Sequence, residues 1–278
     1  MKNILLPTDF SENSKNAINY ALEFFKGNPC NFYFLNTKKV SEYTTDDFYT
    51  ASNGNTVYDS VLKDNRQELH KLVDFYQKKY ASEKYAFISI INFDVFIDAI
   101  NQSIKANDID LIIMGSNGAT GAKEVVFGSH TLNVIRNVDC PLLVIPESYT
   151  LNQFEIVLFT IHNHESFDIK KLKPLLEIIN HQHALLKVLE INDKEYDVEI
   201  ENKFQKQLKE KFKNINTEFY KIVGVSTPIA VDSFVQLIDV DMHTSFFEKE
   251  SFVKRFVYGS EMAKIDYGTK VPLLILHK

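Results

Sequence analysis

Short apolar runs alternate with amphipathic stretches along the whole chain. NILLP (3–7) is a brief apolar run ended by proline. SENSKNAINYALEFFK (11–26) follows, with Ala17, Ala21, Leu22 and Phe25 at helical spacing and Ser11 placed to cap its start. FYFLN (32–36) restores the strand pattern, and VLKDNRQELHKLVDFYQKKY (61–80) sets Leu62, Leu69, Leu72, Val73 and Tyr76 on one helical face. AFISII (86–91), a helix over 95–106, IDLIIM (109–114), a helix over 129–137 and PLLVI (141–145) complete the series. Strands that are apolar throughout, separated by amphipathic helices, form a parallel sheet covered on both faces. The spacing predicts five strands and four helices in the first half.

The second half repeats this order. EIVLFTIHNHES (155–166) lies over NILLPTDFSENS (3–14), and IDVDMHTS (238–245) over IDLIIMGS (109–116). GSEMAKIDYGTKVPLLIL (259–276) lies over GSHTLNVIRNVDCPLLVI (128–145). The offsets run 152, 129 and 131, so the second copy is shorter in its middle. Most of the loss falls on the polar stretch 38–57, which reads as a long loop. The repeat predicts two tandem α/β domains, residues 1–147 and 153–278, joined through PESYTLNQ (146–153). Each is expected to be a doubly wound, Rossmann-like, five-stranded and mainly parallel sheet with helices on both faces. The final strands, within CPLLVIP (140–146) and VPLLILH (271–277), match best and are apolar on both faces. Each would lie at a sheet edge. Pairing them covers both edges, as an intramolecular pseudo-dimer, and leaves other surfaces for a homodimer.

A chain of 278 residues is long enough for two cores. A net charge of −6 argues against a nucleic-acid partner, which usually meets a basic face. No apolar run nears the ~18 residues of a membrane span, and the N-terminal apolar run is too short for a signal peptide. Two cysteines, Cys30 and Cys140, suit a reducing cytoplasm and read as small buried hydrophobes.

Chemistry concentrates in DLIIMGSNGATGAKEVVFGSHT (110–131), which holds four of the nine glycines. A strand that runs through glycines into a helix is how α/β proteins bind phosphate. Glycine admits dihedrals that a Cβ forbids, and the amides of the loop and helix start then point at the anion. The bland reading is that such glycines only make a turn. A Walker A loop is ruled out because Ala122, Lys123 and Glu124 follow Gly121. The dinucleotide fingerprint is ruled out because Gly115, Gly118 and Gly121 are spaced by three.

Gly115-x-x-Gly118, nine residues, then Gly128-Ser129, together with ILLPTDFS at the N-terminus, resembles the ATP-binding branch of the universal stress protein family. The resemblance covers the chain as a tandem pair of adenine nucleotide alpha hydrolase-like domains. It implies that Gly115, Gly118, Gly128 and Ser129 cradle the phosphates and ribose, with Met114 and Ser116 beside them. His130 and Thr131 would add contacts at the helix start. Pro7, Thr8 and Asp9 would lie against the adenosine, and Thr37 would present its backbone to the adenine edge. Asp9 would repel a bare triphosphate, so its expected role is to accept hydrogen bonds from sugar or base, or to act through Mg2+.

In the second copy the same overlay sets Thr244 over Gly115, His243 over Met114, Ile161 over Asp9 and Phe159 over Pro7. FFEKESFVKRFVY (246–258) has no glycine, so nucleotide binding is expected in the first domain only. His162-Asn163-His164 could chelate zinc with Glu165 as a third ligand. No cysteine is near, and His181-Gln182-His183 lies on a separate segment, so both pairs read as solvated loop and helix-end histidines. The lysine-rich segment 202–214 reads as a solvated helix with Phe204, Leu208 and Phe212 as its buried stripe. No general base, catalytic residue or resident metal ligand set stands out. The resemblance therefore implies a cytoplasmic, ATP-binding regulatory protein of the stress response, with protein partners the sequence does not name. A slow ATPase timer and a nucleotide-free scaffold are the alternatives.

Overall fold

The computed structural model describes residues 1–38, 57–116, 127–247 and 270–278, with the side chains of 57–63 left aside. The expected long loop at 38–57 and Gly118 lie almost wholly outside the described residues. Two compact units make up the chain, Met1–Met114 and Gly115–Lys278.

The first unit runs β1 (Lys2–Pro7), α1 (Glu12–Phe24), β2 (Cys30–Thr37), α2 (Val57–Lys79), β3 (Tyr85–Asn92), α3 (Phe96–Asn107) and β4 (Leu111–Gly115), whose last residue opens the second unit. Its strands lie in the order β3-β2-β1-β4, all parallel. Ser11 caps α1 by accepting from the Ser14 amide. Alternate residues of β2 settle which helix covers which face. Phe32 and Phe34 meet Phe25, just past α1, and Tyr76 of α2. On the other face Asn31 donates to Asn3, whose amide donates to Asn107 at the end of α3.

The second unit holds α4 (Ser129–Asn137), β5 (Leu142–Ile145), β6 (Ile156–His162), α5 (Lys173–Gln182), β7 (Leu185–Asn192), α6 (Val198–Lys211), β8 (Thr217–Val223), α7 (Thr227–Leu237), β9 (Met242–Phe247) and β10 (Leu273–His277). The order is β5-β10-β9-β6-β7-β8, parallel except where β5 meets β10. There Leu142, Leu143 and Val144 pair antiparallel with Ile275, Leu274 and Leu273. Both faces are again covered. Leu158 and Leu189 pack with Ala230 and Phe234 of α7, while Phe159 meets Phe167 and Phe212, the residue that ends α6.

The fold is α/β, with a mostly parallel sheet flanked by helices and five strands in each half of the chain among the described residues. No described helix is long and apolar enough to cross a membrane. The lysine-rich helix is α6, and Leu208 and Phe212 are buried on it as expected.

The repeat is present, but its register differs from the letter-by-letter overlay. Asp110 accepts from the Asn3 amide at 2.8 Å and its own amide returns to Asn3 O at 2.8 Å. Asp241 does the same with Ile156, at 2.8 and 2.9 Å. Asp110 and Asp241 are therefore equivalent, 131 residues apart, and Asn3 matches Ile156 rather than Glu155. In both halves the strand pairings agree, with Ile4 beside Leu111 and Val157 beside Met242. The corrected equivalents are Gly115 with Phe246, Met114 with Ser245, Asp9 with His162 and Pro7 with Thr160. The overlay slipped because IDVD resembles IDLI, whereas the strand start is set by the aspartate that receives its first amide.

Candidate functional site

In the first unit, β1 ends at buried Pro7 and the chain turns sharply. Thr8 is buried and fully engaged. Its amide donates to Leu35 O and its carbonyl accepts from the Asn36 side chain, both at 2.8 Å. Its hydroxyl lies 3.0 Å from Ser14 Oγ and accepts from the Phe10 amide at 3.1 Å. Phe10 takes up the turn in the left-handed region, at φ 65. This leaves Asp9 exposed, with Oδ1 accepting from the Ser11 amide at 3.0 Å and the Ser11 hydroxyl at 2.5 Å. Partial desolvation by neighbouring atoms pushes the Asp9 carboxyl up, but the hydrogen bonds from Ser11 outweigh it and hold the group below its ordinary value. Thr37 closes β2, half-buried and in register with Asn92, and Met114 is buried in β4.

In the second unit the end of β4 and the start of α4 are tied together. The Ser116 amide donates to Ile145 O and the Gly128 amide to Ser116 O, both at 2.8 Å. The Thr131 hydroxyl is directed at Gly115 O and Ser116 O, each at 3.1 Å. Thr131 and Ser116 are buried, while Ser129 and His130 are exposed on the first turn. Gly128 is the N-cap, so no side chain caps the helix, and its first turn carries no acidic residue. Ser116 Oγ is buried with no hydrogen-bond partner among the described residues.

The equivalent place in the second repeat is filled. Phe246 stands where the first repeat has Gly115, and its ring lies 5.7 Å from Phe159 and 5.8 Å from Phe167. His162 replaces Asp9, with Nδ1 3.3 Å from the hydroxyl of Thr227, the first residue of α7. His243 Nε2 lies 3.0 Å from Thr160 Oγ1. Burial, with His162 as a second positive group nearby, pushes the His243 imidazole down to about 3.

The reading of the histidine pairs needs correction. His183 is a helix-end residue, the left-handed C-cap of α5. His164 is not solvated. Its side chain is 10% exposed, and Nε2 lies 2.9 Å from Glu190 Oε1 and 3.0 Å from Glu201 Oε2. Its ring sits against Tyr196 and Phe204, at 4.0 and 4.4 Å between centroids. Glu165, the expected third ligand, instead pairs with Lys278. Sequence spacing could not reveal this cluster, because Glu190 ends near β7's tip and Glu201 lies in the first turn of α6.

Parallel strands alternating with covering helices define a doubly wound α/β protein, a class in which ligands generally meet the carboxyl ends of the strands. The universal stress protein family model matches residues 1–146, over half of the chain, and the chain belongs to that family. Two universal stress proteins of Methanocaldococcus jannaschii are similar to it. MJ0531 is 30% identical over 145 residues, 52% of this chain and 81% of the relative. MJ0577 is 28% identical over 152 residues, 52% and 94%. A universal stress protein from Archaeoglobus fulgidus shares the fold over nearly the full length, with a TM-score of 0.72, 17% identity and 98% and 97% of the two chains covered.

Proposed function

We propose that the chain is a regulatory universal stress protein of the cytoplasm that binds one ATP, accompanied by Mg2+, through its first repeat. Gly115, Ser116, Gly118, Gly128, Ser129, His130 and Thr131 would hold the phosphates and ribose. Pro7, Thr8, Asp9, Thr37 and Met114 would take the nucleoside. The observation that carries the reading is the start of α4. Gly128, the N-cap of α4, brings no capping side chain of its own, and Thr131 ties this helix start to the last residues of β4. Such a start favours an anion by its orphan amides and its dipole. Asp9, held ionised by Ser11, suits hydrogen bonds from hydroxyls or a base rather than a direct phosphate contact. The aromatic filling around Phe246 removes the corresponding space from the second repeat.

In this reading nucleotide occupancy biases an interface, with the β5–β10 ladder as the intramolecular counterpart of a dimer seam and other faces left for a homodimer or a protein partner. Calorimetry of the full chain with MgATP tests it. The expected stoichiometry is one ATP per chain, and Gly118→Val weakens binding at least about tenfold, near 1.4 kcal/mol, with the circular dichroism unchanged. Two equivalent sites, or an unchanged affinity in the variant, would refute it. Hydrolysis is expected to stay below about 1 per second, and sustained faster turnover lost in Gly118→Val would make the protein an enzyme.

A further inference from the structure

We propose that His164, Glu190 and Glu201 form a divalent transition-metal site in the second unit, of the nitrogen-and-oxygen type that zinc occupies. The three donor atoms lie within 4.8 Å of one another, with His164 Nε2 2.9 Å from Glu190 Oε1 and 3.0 Å from Glu201 Oε2. A tetrahedral ion with ligands at ~2.0–2.2 Å sets its donors ~3.3–3.6 Å apart, so the two distances from His164 need open by only a few tenths of an ångström. The donors come from three rigid places: the turn after β6, the end of β7 and the first turn of α6. Asn163 and His164 both adopt left-handed backbone, at φ 44 and 56, which aims the imidazole back under α6. Tyr196 and Phe204 then fix the ring plane.

Groups around the donors orient them as outer partners of a metal do. Gln205 Nε2 donates to Glu190 Oε2 at 2.5 Å and to Glu201 Oε1 at 3.3 Å. Lys221 Nζ lies 2.6 Å from Glu201 Oε2, and its partly exposed ammonium can swing to solvent from the outer strand β8. Two carboxylates converge on the His164 imidazole in a space largely closed to water, and a divalent cation held by both would offset their mutual repulsion.

A second observation points to an ion. Asn192 is fully buried, its Nδ2 is 2.5 Å from Glu190 Oε1, and its Oδ1 has no hydrogen-bond partner among the described residues. With the amide turned over, Oδ1 would face Glu190 Oε1, and a cation held between the two oxygens would bind both. With an ion present, Asn192 becomes a fourth donor. The site joins the turn after β6, β7 and α6, so occupancy would brace that corner of the unit.

Titration of the chelator-stripped full chain with zinc chloride tests the proposal. We expect one zinc per chain and a Tm rise on the order of 5 °C at saturation. His164→Asn, which tolerates the left-handed backbone, and Glu201→Gln, which keeps shape, should each weaken zinc binding about tenfold or more. Circular dichroism establishes that both variants fold. Absorption at the zinc edge should report nitrogen and oxygen ligands. No zinc uptake by the wild-type chain, or equal affinity in both folded variants, as expected if surface histidines such as His181 and His183 took the ion, would overturn it.

Discussion

Acidification should weaken the second unit through one imidazole, that of His243. Its folded pKa is pushed down to about 3 by burial and by His162, while the unfolded chain returns it to the ordinary histidine value of 6.5. Between these values the unfolded chain holds a proton that the folded one refuses, so stability is full above about pH 6.5 and falls as the pH drops toward 3. At pH 5 the gap from 6.5 is about 1.5 units, or roughly 2 kcal/mol at 1.36 kcal/mol per unit. His243 keeps partial solvent access, which softens the penalty and makes that figure a ceiling. The groups facing it are the Thr160 hydroxyl and His162, and neither offers a negative charge to hold an imidazolium. Guanidinium unfolding of the wild type and His243→Gln at pH 7 and pH 5 isolates the effect, since glutamine retains a partner for Thr160. The wild type should lose up to about 2 kcal/mol more than the variant between the two pH values. An equal loss in both proteins would show that the imidazole is not the titrating group.

Phe246→Ala should destabilise the second unit by about 2–3 kcal/mol in chemical denaturation, below the cost of a fully buried phenylalanine because the ring keeps some exposure. Phe246→Gly should leave calorimetric stoichiometry at one ATP, since removing the ring restores no loop of glycines. Asp241→Ala strands the amides of Glu155 and Ile156 and should cost about 1–3 kcal/mol. Asp110→Ala strands only the exposed Asn3 amide, so a cost equal to that of Asp241→Ala would contradict the roles given to the two aspartates.

The alternation of elements was legible because each strand is apolar throughout and each helix carries one apolar stripe. The Ser11 cap and α6 with buried Leu208 could likewise be read from residue types. Register was harder. Ile-Asp occurs at 109–110 and again at 238–239, but the second strand begins after Asp241, because that carboxylate receives the amides at the head of β6. Two positions of slip at β9 hid the exchange of Gly115 for Phe246, and one at β6 hid that of Asp9 for His162. The His164 cluster was illegible for a different reason. Its carboxylates lie 26 and 37 positions away, on elements whose local patterns give no sign of convergence.

The antiparallel ladder of β5 and β10 also dictates an order of assembly. Leu142 must wait for Ile275, a partner 133 positions later, at the far end of the chain. On the ribosome the first unit can close from local neighbours, but β5 emerges long before the strand that completes it. Until Leu273 to Ile275 leave the tunnel, Leu142, Leu143 and Val144 lack the strand they pair with and present an apolar ribbon. Contacts of such long sequence separation form late, and such ribbons attract other chains. Nascent chains stalled short of Leu273 should therefore engage chaperones, and the emergence of Leu273–His277 is the step that lets β5 find its partner.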